Sequence, residues 1–281
     1  MADIDDYWEY SDPAASEQRF RAALSTAQGD HALELQTQIA RTYSLRKQFG
    51  DAHALLDTIE PQLREAGAAP RVRYLLERGR TLNSSGNKAD ARPLFEEAWA
   101  LARANGLDGL AVDAAHMVPI VDSGPDGATW TRRGLELARS SNDRKARAML
   151  PALLNNHAWN LYDEARFAEA LPVFREAEVE WRRTGKQPQG RIATWSVARC
   201  LRALSQTDDA LALQLALERE WAAADKSDGY VFEEIAELYE LKGDRAAARP
   251  YFSRAADKLG KDPQFVASEA SRYQRLIERG R

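Results

Sequence analysis

Along the 281 residues, apolar and small side chains return at steps of four and three, the spacing that brings them onto one face of an α-helix. Leu75, Gly79 and Leu82 make one such face, and after a short polar stretch Ala91, Phe95 and Ala98 make a second. The pair of faces returns as Leu154, Ala158, Leu161 with Ala170, Phe174, Ala177, and again as Phe232, Ala236, Tyr239 with Ala248, Phe252, Ala255. Weaker versions carry Ala40, Tyr43, Ala52 and Leu56, and Ala198, Leu201 and Ala210; the poorest surrounds Ala115. The alanine that leads the second face falls at Ala52, Ala91, Ala170, Ala210 and Ala248, steps of 39, 79, 40 and 38 residues with the long step spanning two units. Such a period implies an all-α chain of stacked helix pairs, each burying its apolar face against the next.

The small residues at the centre of each face allow two helices to approach closely, and the aromatics fill the space beside them. Punctuation agrees: "RKQFGDA", "SSGNKAD" and "LKGDRAA" place Gly with Asp or Asn before the second helix, where those side chains are expected to cap free N–H groups. Pro93, Pro172 and Pro250 share one place early in the second helix, in or just beyond the turn whose N–H groups lack acceptors. There a proline should cost less than the roughly 3 kcal/mol of a mid-helix position. Pro119 is expected to kink the first helix of the third unit. At the ends, Asp12 and Pro13 open a lone second-type helix through Phe20 and Ala23, and Val266, Ala270 and Tyr273 mark a lone first-type helix. The expected organisation is therefore a tail and capping helix over 1–29, six helix pairs over 30–259 and a capping helix over 260–281, fourteen helices in one continuous domain.

These segments resemble tetratricopeptide repeats, a family of helix-turn-helix units with small and aromatic residues at these positions. Units longer than the usual length of about 34 residues are similar to the long repeats of bacterial regulatory proteins. The resemblance covers about Asp30 to Leu259. It implies a right-handed α-solenoid of about six units, with capping helices at both ends and a concave groove that binds a protein or peptide segment.

Composition narrows the function classes. Hydrophobic residues at 44% and charged residues at 29% fit an ordinary globular chain. No window approaches the eighteen or so apolar residues of a membrane span, and the acidic start "MADIDDYWEY" lacks the basic and apolar regions of a secretory signal, so a cytoplasmic protein without membrane contact is expected. Cys200 is the single cysteine, which leaves no internal disulfide and suggests a small buried helix residue. A net charge of −4 disfavours a nucleic-acid surface, and with it an RNA-binding helical repeat.

The search for chemistry returns little. His31, His53, His116 and His157 lie on separate units, with no metal-binding pair and no phosphate loop, and "DSGPDG" (Asp122 to Gly127) reads as turn chemistry. No enzyme, metal or cofactor is expected. The groove can instead be read from the stripe at −3, +1 and +4 from each central small residue. It runs Thr37, Arg41, Ser44; Leu76, Arg80, Asn83; Val112, His116, Pro119; Asn155, Trp159, Tyr162; Trp195, Arg199, Arg202; and Glu233, Glu237, Glu240. From it, Arg80, Asn83, His116, Asn155, Trp159, Tyr162, Trp195, Arg199, Arg202, Glu233, Glu237 and Glu240 are the candidate site residues. Arginine offers paired bonds to carboxylates, asparagine bonds to an extended backbone, and tryptophan or tyrosine a rigid apolar anchor. The mix suits a peptide with acidic and apolar residues, and the glutamates would favour a basic residue at one of its ends. Trp159 and Trp195 have an equal reading as wedges between neighbouring helices. A sensory module answering to a small peptide or ligand is the first alternative, and an enzyme built on helical pairs the second. The tail "DIDDYWEY" either caps the first helices or lies in the arginine-bearing groove.

Overall fold

A computed structural model describes residues 3–122 and 124–281, and among these it contains sixteen α-helices and no strand. The helices fall into two compact units, Met1–Leu153 and Leu154–Arg281. The first unit holds a 3₁₀ turn (Ile4–Tyr7), α1 (Pro13–Leu24), α2 (Gly29–Leu45), α3 (Phe49–Ile59), α4 (Ala68–Ser84), α5 (Lys88–Ala104), α6 (Asp108–Val121), α7 (Pro125–Ser140) and the short α8 (Arg144–Ala148). Next comes α9 (Leu150–Asp163), most of it in the second unit. That unit continues with α10 (Phe167–Arg183), α11 (Gln187–Ala203), α12 (Thr207–Ala222), α13 (Gly229–Leu241), α14 (Arg245–Leu259), α15 (Pro263–Ser268) and α16 (Ala270–Gly280).

Two helices exceed the fourteen read from sequence. One is α8, a single turn that exists because Asp143 accepts from the Lys145 N–H at 2.7 Å and from Gly109 on α6 at 2.9 Å. The other arises at the C-terminal cap, which breaks at Glu269 into α15 and α16.

The periodic small residues are the places where helices touch. Ala52, Ala91, Ala170, Ala210 and Ala248 are all buried, and Phe95, Phe174 and Phe252 are enclosed beside them. One close crossing is α4 on α5. A Cβ added at Gly79 would lie 2.6 Å from Cε1 of Phe95, so only glycine fits.

The turn between first and second helix repeats as strictly as the alanines. Lys47, Gly86, Ala165, Ser205 and Gly243, each five residues before the repeating alanine, adopt left-handed φ of 61, 98, 58, 59 and 79°. The next residue then donates its N–H back to a carbonyl five positions earlier, as in Asn87 to Leu82 (2.8 Å) and Asp244 to Tyr239 (2.9 Å). This backbone closure satisfies the last carbonyls of the first helix. It replaces the expected side-chain caps in two of the three turns, since Asp51 of "RKQFGDA" falls inside α3 and Asn87 makes no cap bond; Asp244 does cap, accepting from Ala247 at 3.0 Å. An L-residue in this conformation costs about 1–2 kcal/mol, of which glycine's extra unfolded-state entropy returns about half. Ala165→Gly is therefore expected to raise stability by about 0.5–1 kcal/mol. A urea midpoint that stays put or falls would show that the turn is held by something other than this backbone geometry.

The recurrent prolines need a different explanation from the one the sequence suggests. Each is the sixth residue of its helix, beyond the first-turn donors, so Ala89, Ala168 and Ala246 lose a helical donor to their carbonyls. All three prolines and all three alanines are exposed, so the freed carbonyls lie at the solvent side of their helices, where the loss costs least. α6 continues through Pro119 to Val121. In "DSGPDG", Pro125 opens α7 and Gly124 is its cap, so Gly-Pro-Asp-Gly forms the start of a helix rather than a free turn; Ser123 lies outside the described residues.

Candidate functional site

In the first unit the stripe of α2, α4 and α6 centres on a residue outside the sequence-derived set, the buried Glu77. Its Oε1 accepts from Arg80 (2.8 Å), Gln38 (3.3 Å) and Arg41 (3.5 Å), and Arg80 also donates to Asp113 at 2.5 Å. Burial works against the charge on Arg80, and the carboxylates of Asp113 and Glu77 more than offset it, so its pKa lies above the usual range. Burial moves His116 the other way: its pKa falls below 6.5, helped by Arg80 and opposed by Asp113. The Asn83 amide oxygen is buried with no donor among the described residues. Arg80 and His116 thus lie around Asp113, with Asn83 one turn after Arg80 on α4, and the arginine is already held by two carboxylates.

The N-terminal segment lies over this face. Asp3 and Asp5 pair with Lys145 at 2.6 and 2.9 Å. Ile4 is buried with Phe20, Leu35 and Ile39. Trp8 donates its indole N–H to Gln38 at 3.1 Å, packs edge-on against Phe20 and stacks on Tyr10, and the Arg41 guanidinium sits over both rings at 5.3 and 5.7 Å.

In the second unit, aromatic rings form a row across the first helices. Tyr162 meets Trp159 at 5.0 Å, Trp159 meets Trp195 at 6.1 Å, Trp195 meets Tyr230 at 6.4 Å and Tyr230 meets Phe265 at 6.0 Å between centroids. Arg199 lies over Trp195 and Arg272 over Tyr230. Asn155 lies one turn before Trp159 on α9. A cleft of about 350 Å³ opens beside the row, lined by Ile192, Trp195, Leu217, Trp221, Tyr230 and Val231 with Arg191 and Asp228 at its polar side. One turn further along α11 and α13 a second cleft of about 440 Å³ is lined only by charged side chains: Arg199, Arg202, Arg272, Arg275 and Arg279 against Glu233, Glu234 and Glu237.

The charges in this cleft are ordered. Glu234, buried on α13, accepts from Nε and Nη2 of Arg202 at 2.8 Å each and from Nη1 of Arg199 at 3.2 Å. Glu233 takes a paired bond from Arg272 on α16 at 2.8 and 2.6 Å, while Arg279 serves Glu237 and Glu240 at 3.2 and 2.8 Å. The basic partner of the acidic stretch is thus the chain's own last helix, which revises the expectation of a bare acidic end. Cys200 is buried, its thiol donating to the Phe167 carbonyl at 3.4 Å, and burial raises its pKa to about 11.

Sequence reasoning missed Glu77, Glu234, Tyr230 and the arginines of α16. Two signals were present. Arg272, Arg275 and Arg279 step by three and four and so share a helix face. The ion pairs also join residues about one unit apart, 39 for Glu34 with Arg73 and for Glu233 with Arg272, 35 for Arg199 with Glu234.

No family model matches the chain, and no curated protein matches it. Solved structures do. A signal-transduction ATPase with numerous domains, carrying a tetratricopeptide repeat sensor, from Pyrococcus horikoshii superposes with a TM-score of 0.75 at 12% identity, covering 94% of this chain and 41% of that one. The apo form of RapI gives 0.74 at 11% identity, covering 99% and 82%. The quorum sensor NprR of B. thuringiensis gives 0.63 at 12% identity in its apo form, covering 98% and 79%. NprR in complex with its cognate peptide NprX gives 0.53 at 14%, covering 98% and 86%. The chain thus spans less than half of the first of these proteins. At such identities the likeness establishes the fold, that of tetratricopeptide-type helical repeats. Among the described residues no helix is long and apolar enough to cross a membrane.

Proposed function

We propose that the chain is a non-enzymatic cytoplasmic scaffold, read as six repeats over 30–259, that binds an extended peptide on the first-helix face of its second unit. The observation that carries this reading is the aromatic row Trp159, Trp195, Tyr230 and Phe265 with one apolar and one arginine-rich cleft along it. Five arginines against three glutamates leave the charged cleft with an excess of positive charge, which fits an acidic residue, while the apolar cleft fits an aliphatic or aromatic side chain. Trp159, Trp195, Arg199 and Arg202 are the primary contacts, with Asn155 and Tyr162 at one end. Glu233, Glu237 and Glu240 hold α16 in place. A sensory role is the second reading, favoured by the likeness to a quorum sensor seen with its peptide and to a protein with a repeat-built sensor.

Partners captured from the native lysate would supply the peptide for a binding assay by fluorescence anisotropy. Because Glu234 is buried against both arginines, the informative variant neutralises all three: Arg199→Gln, Arg202→Gln and Glu234→Gln together. Affinity is expected to fall at least tenfold, about 1.4 kcal/mol, with helicity retained. Arg249→Gln, exposed on α14, should leave it unchanged. Equal losses from both variants, or none from the triple, would place the partner elsewhere.

A further inference from the structure

We propose that the first-helix face of the first unit is a separate peptide-binding site, that residues 3–10 occupy it in cis, and that its partner in trans is a segment with the same acid–aliphatic–acid and Trp-x-Tyr pattern. The claim is independent of the second unit's clefts.

A segment that only closed the end of the helix stack would meet α1 and α2. This one also reaches Lys145 on α8, at the other end of the unit's helices, where Asp3 and Asp5 share one ammonium. Its chemistry mirrors the face beneath it. Asp3, Asp5, Asp6 and Glu9 lie in eight residues, and the face they approach carries Lys145 together with Arg41, Arg73 and Arg80, which also serve Glu77, Glu34 and Asp113. Burial pushes the Asp3 carboxyl up, but Lys145, the Asp5 N–H and Arg73 more than offset it and hold it below its ordinary value. The aromatic end engages the groove stripe itself: Trp8 bonds Gln38, Gln38 bonds Glu77, and Glu77 holds Arg41 and Arg80.

The attachment is built to exchange. The two ion pairs are half-exposed, Tyr10 is exposed, and the only regular structure in the segment is one 3₁₀ turn, so its contacts are individually weak apart from those of Ile4 and Trp8. Those two side chains help cover Phe20, Leu35 and Ile39, which would otherwise face water. The face is therefore costly to leave empty, and any replacement must supply an aliphatic and an aromatic residue in the same register as its acids. Tethering gives the cis segment an effective concentration in the millimolar range, which a partner in trans must beat.

The probe is a fluorescein-labelled peptide of residues 3–11 (DIDDYWEYS), tested on the full chain. Asp3→Asn with Asp5→Asn loosens the cis segment, and this variant should bind the peptide at least tenfold more tightly than the unaltered chain. Adding Lys145→Gln should reverse the gain, while the triple neutral variant of the second unit should not affect it. In the unaltered chain, millimolar peptide should speed amide exchange across Ile4–Trp8. If exchange shows the segment released and the peptide still does not bind, or if Lys145→Gln changes nothing, residues 3–10 are a fixed cap and the proposal fails. A dimer of the loosened variant by light scattering would name a second copy's segment as the occupant and overturn the partner in trans.

Discussion

Gly79→Leu should lower the stability of the chain by about 3 kcal/mol, read as a shift of the urea midpoint. The added Cβ meets Phe95 at 2.6 Å from Cε1 and 2.9 Å from Cζ, and Phe95 is fully enclosed, so the ring has no space to retreat into. Interiors packed near crystal density answer such insertions by moving backbone, which costs about 1–3 kcal/mol and more where the contact is between helix axes. Gly79→Ala should already carry part of the loss, because the clash begins at Cβ. Gly86→Ala in the neighbouring turn has open space and would be penalised only for its φ of 98°, giving an internal control of different origin. An undiminished midpoint for Gly79→Leu would mean that α4 and α5 do not cross there.

Removing the two arginines from Glu234 should cost as much. Arg199→Gln with Arg202→Gln leaves a carboxylate that is 3% exposed without its cationic partners, and breaking a buried pair from one side typically costs about 3–5 kcal/mol. The arginine side chains, at 29% and 25%, can turn toward the cleft, so Glu234→Gln alone should cost less than half of that. The triple variant should recover most of the stability lost by the double, a coupling that a mutant cycle reads directly. Reversing both arginines, the test that the groove stripe suggests on its own, would set three carboxylates together and unfold the unit before it reported on binding. If the double variant unfolds at the same urea concentration as the unaltered chain, Glu234 is solvated and the description of the charged cleft is wrong.

What was legible in the sequence was local. The alanine at 52, 91, 170, 210 and 248, and the aromatic four residues after it in three copies, are set by helical periodicity within a unit, and every one of these residues is buried. Arg199 and Arg202 were found because they share a stripe with Trp195. Glu234 was not, because it lies beside Glu233 off the stripe and matters only through the helix one unit earlier. Glu77 escaped for the same reason. The strap over the first unit was legible as composition, four acids and three aromatics in eight residues, but its seat was not, since the contact from Asp3 to Lys145 spans 142 residues and no repeat period encodes it. The prolines show the reverse case: the pattern was seen, and the physical reason had to wait for the sixth helical position and its exposure.

The five left-handed turns also act as a ruler on how this chain can change. Each fixes the number of residues between the last carbonyl of one helix and the first face of the next, so inserting or deleting one residue there rotates the following helix by about 100° and carries its alanine and aromatic away from the partner. Growth or loss in these places is admissible only in whole units of about 40 residues, and the loop over 223–228, which joins α12 to α13, obeys the same rule: Asp225 has a φ of 53° and the Lys226 N–H donates to the Trp221 carbonyl at 3.0 Å. For anyone wishing to lengthen the array or exchange one unit for another, the piece moved therefore runs from one such turn to the matching turn of the next unit.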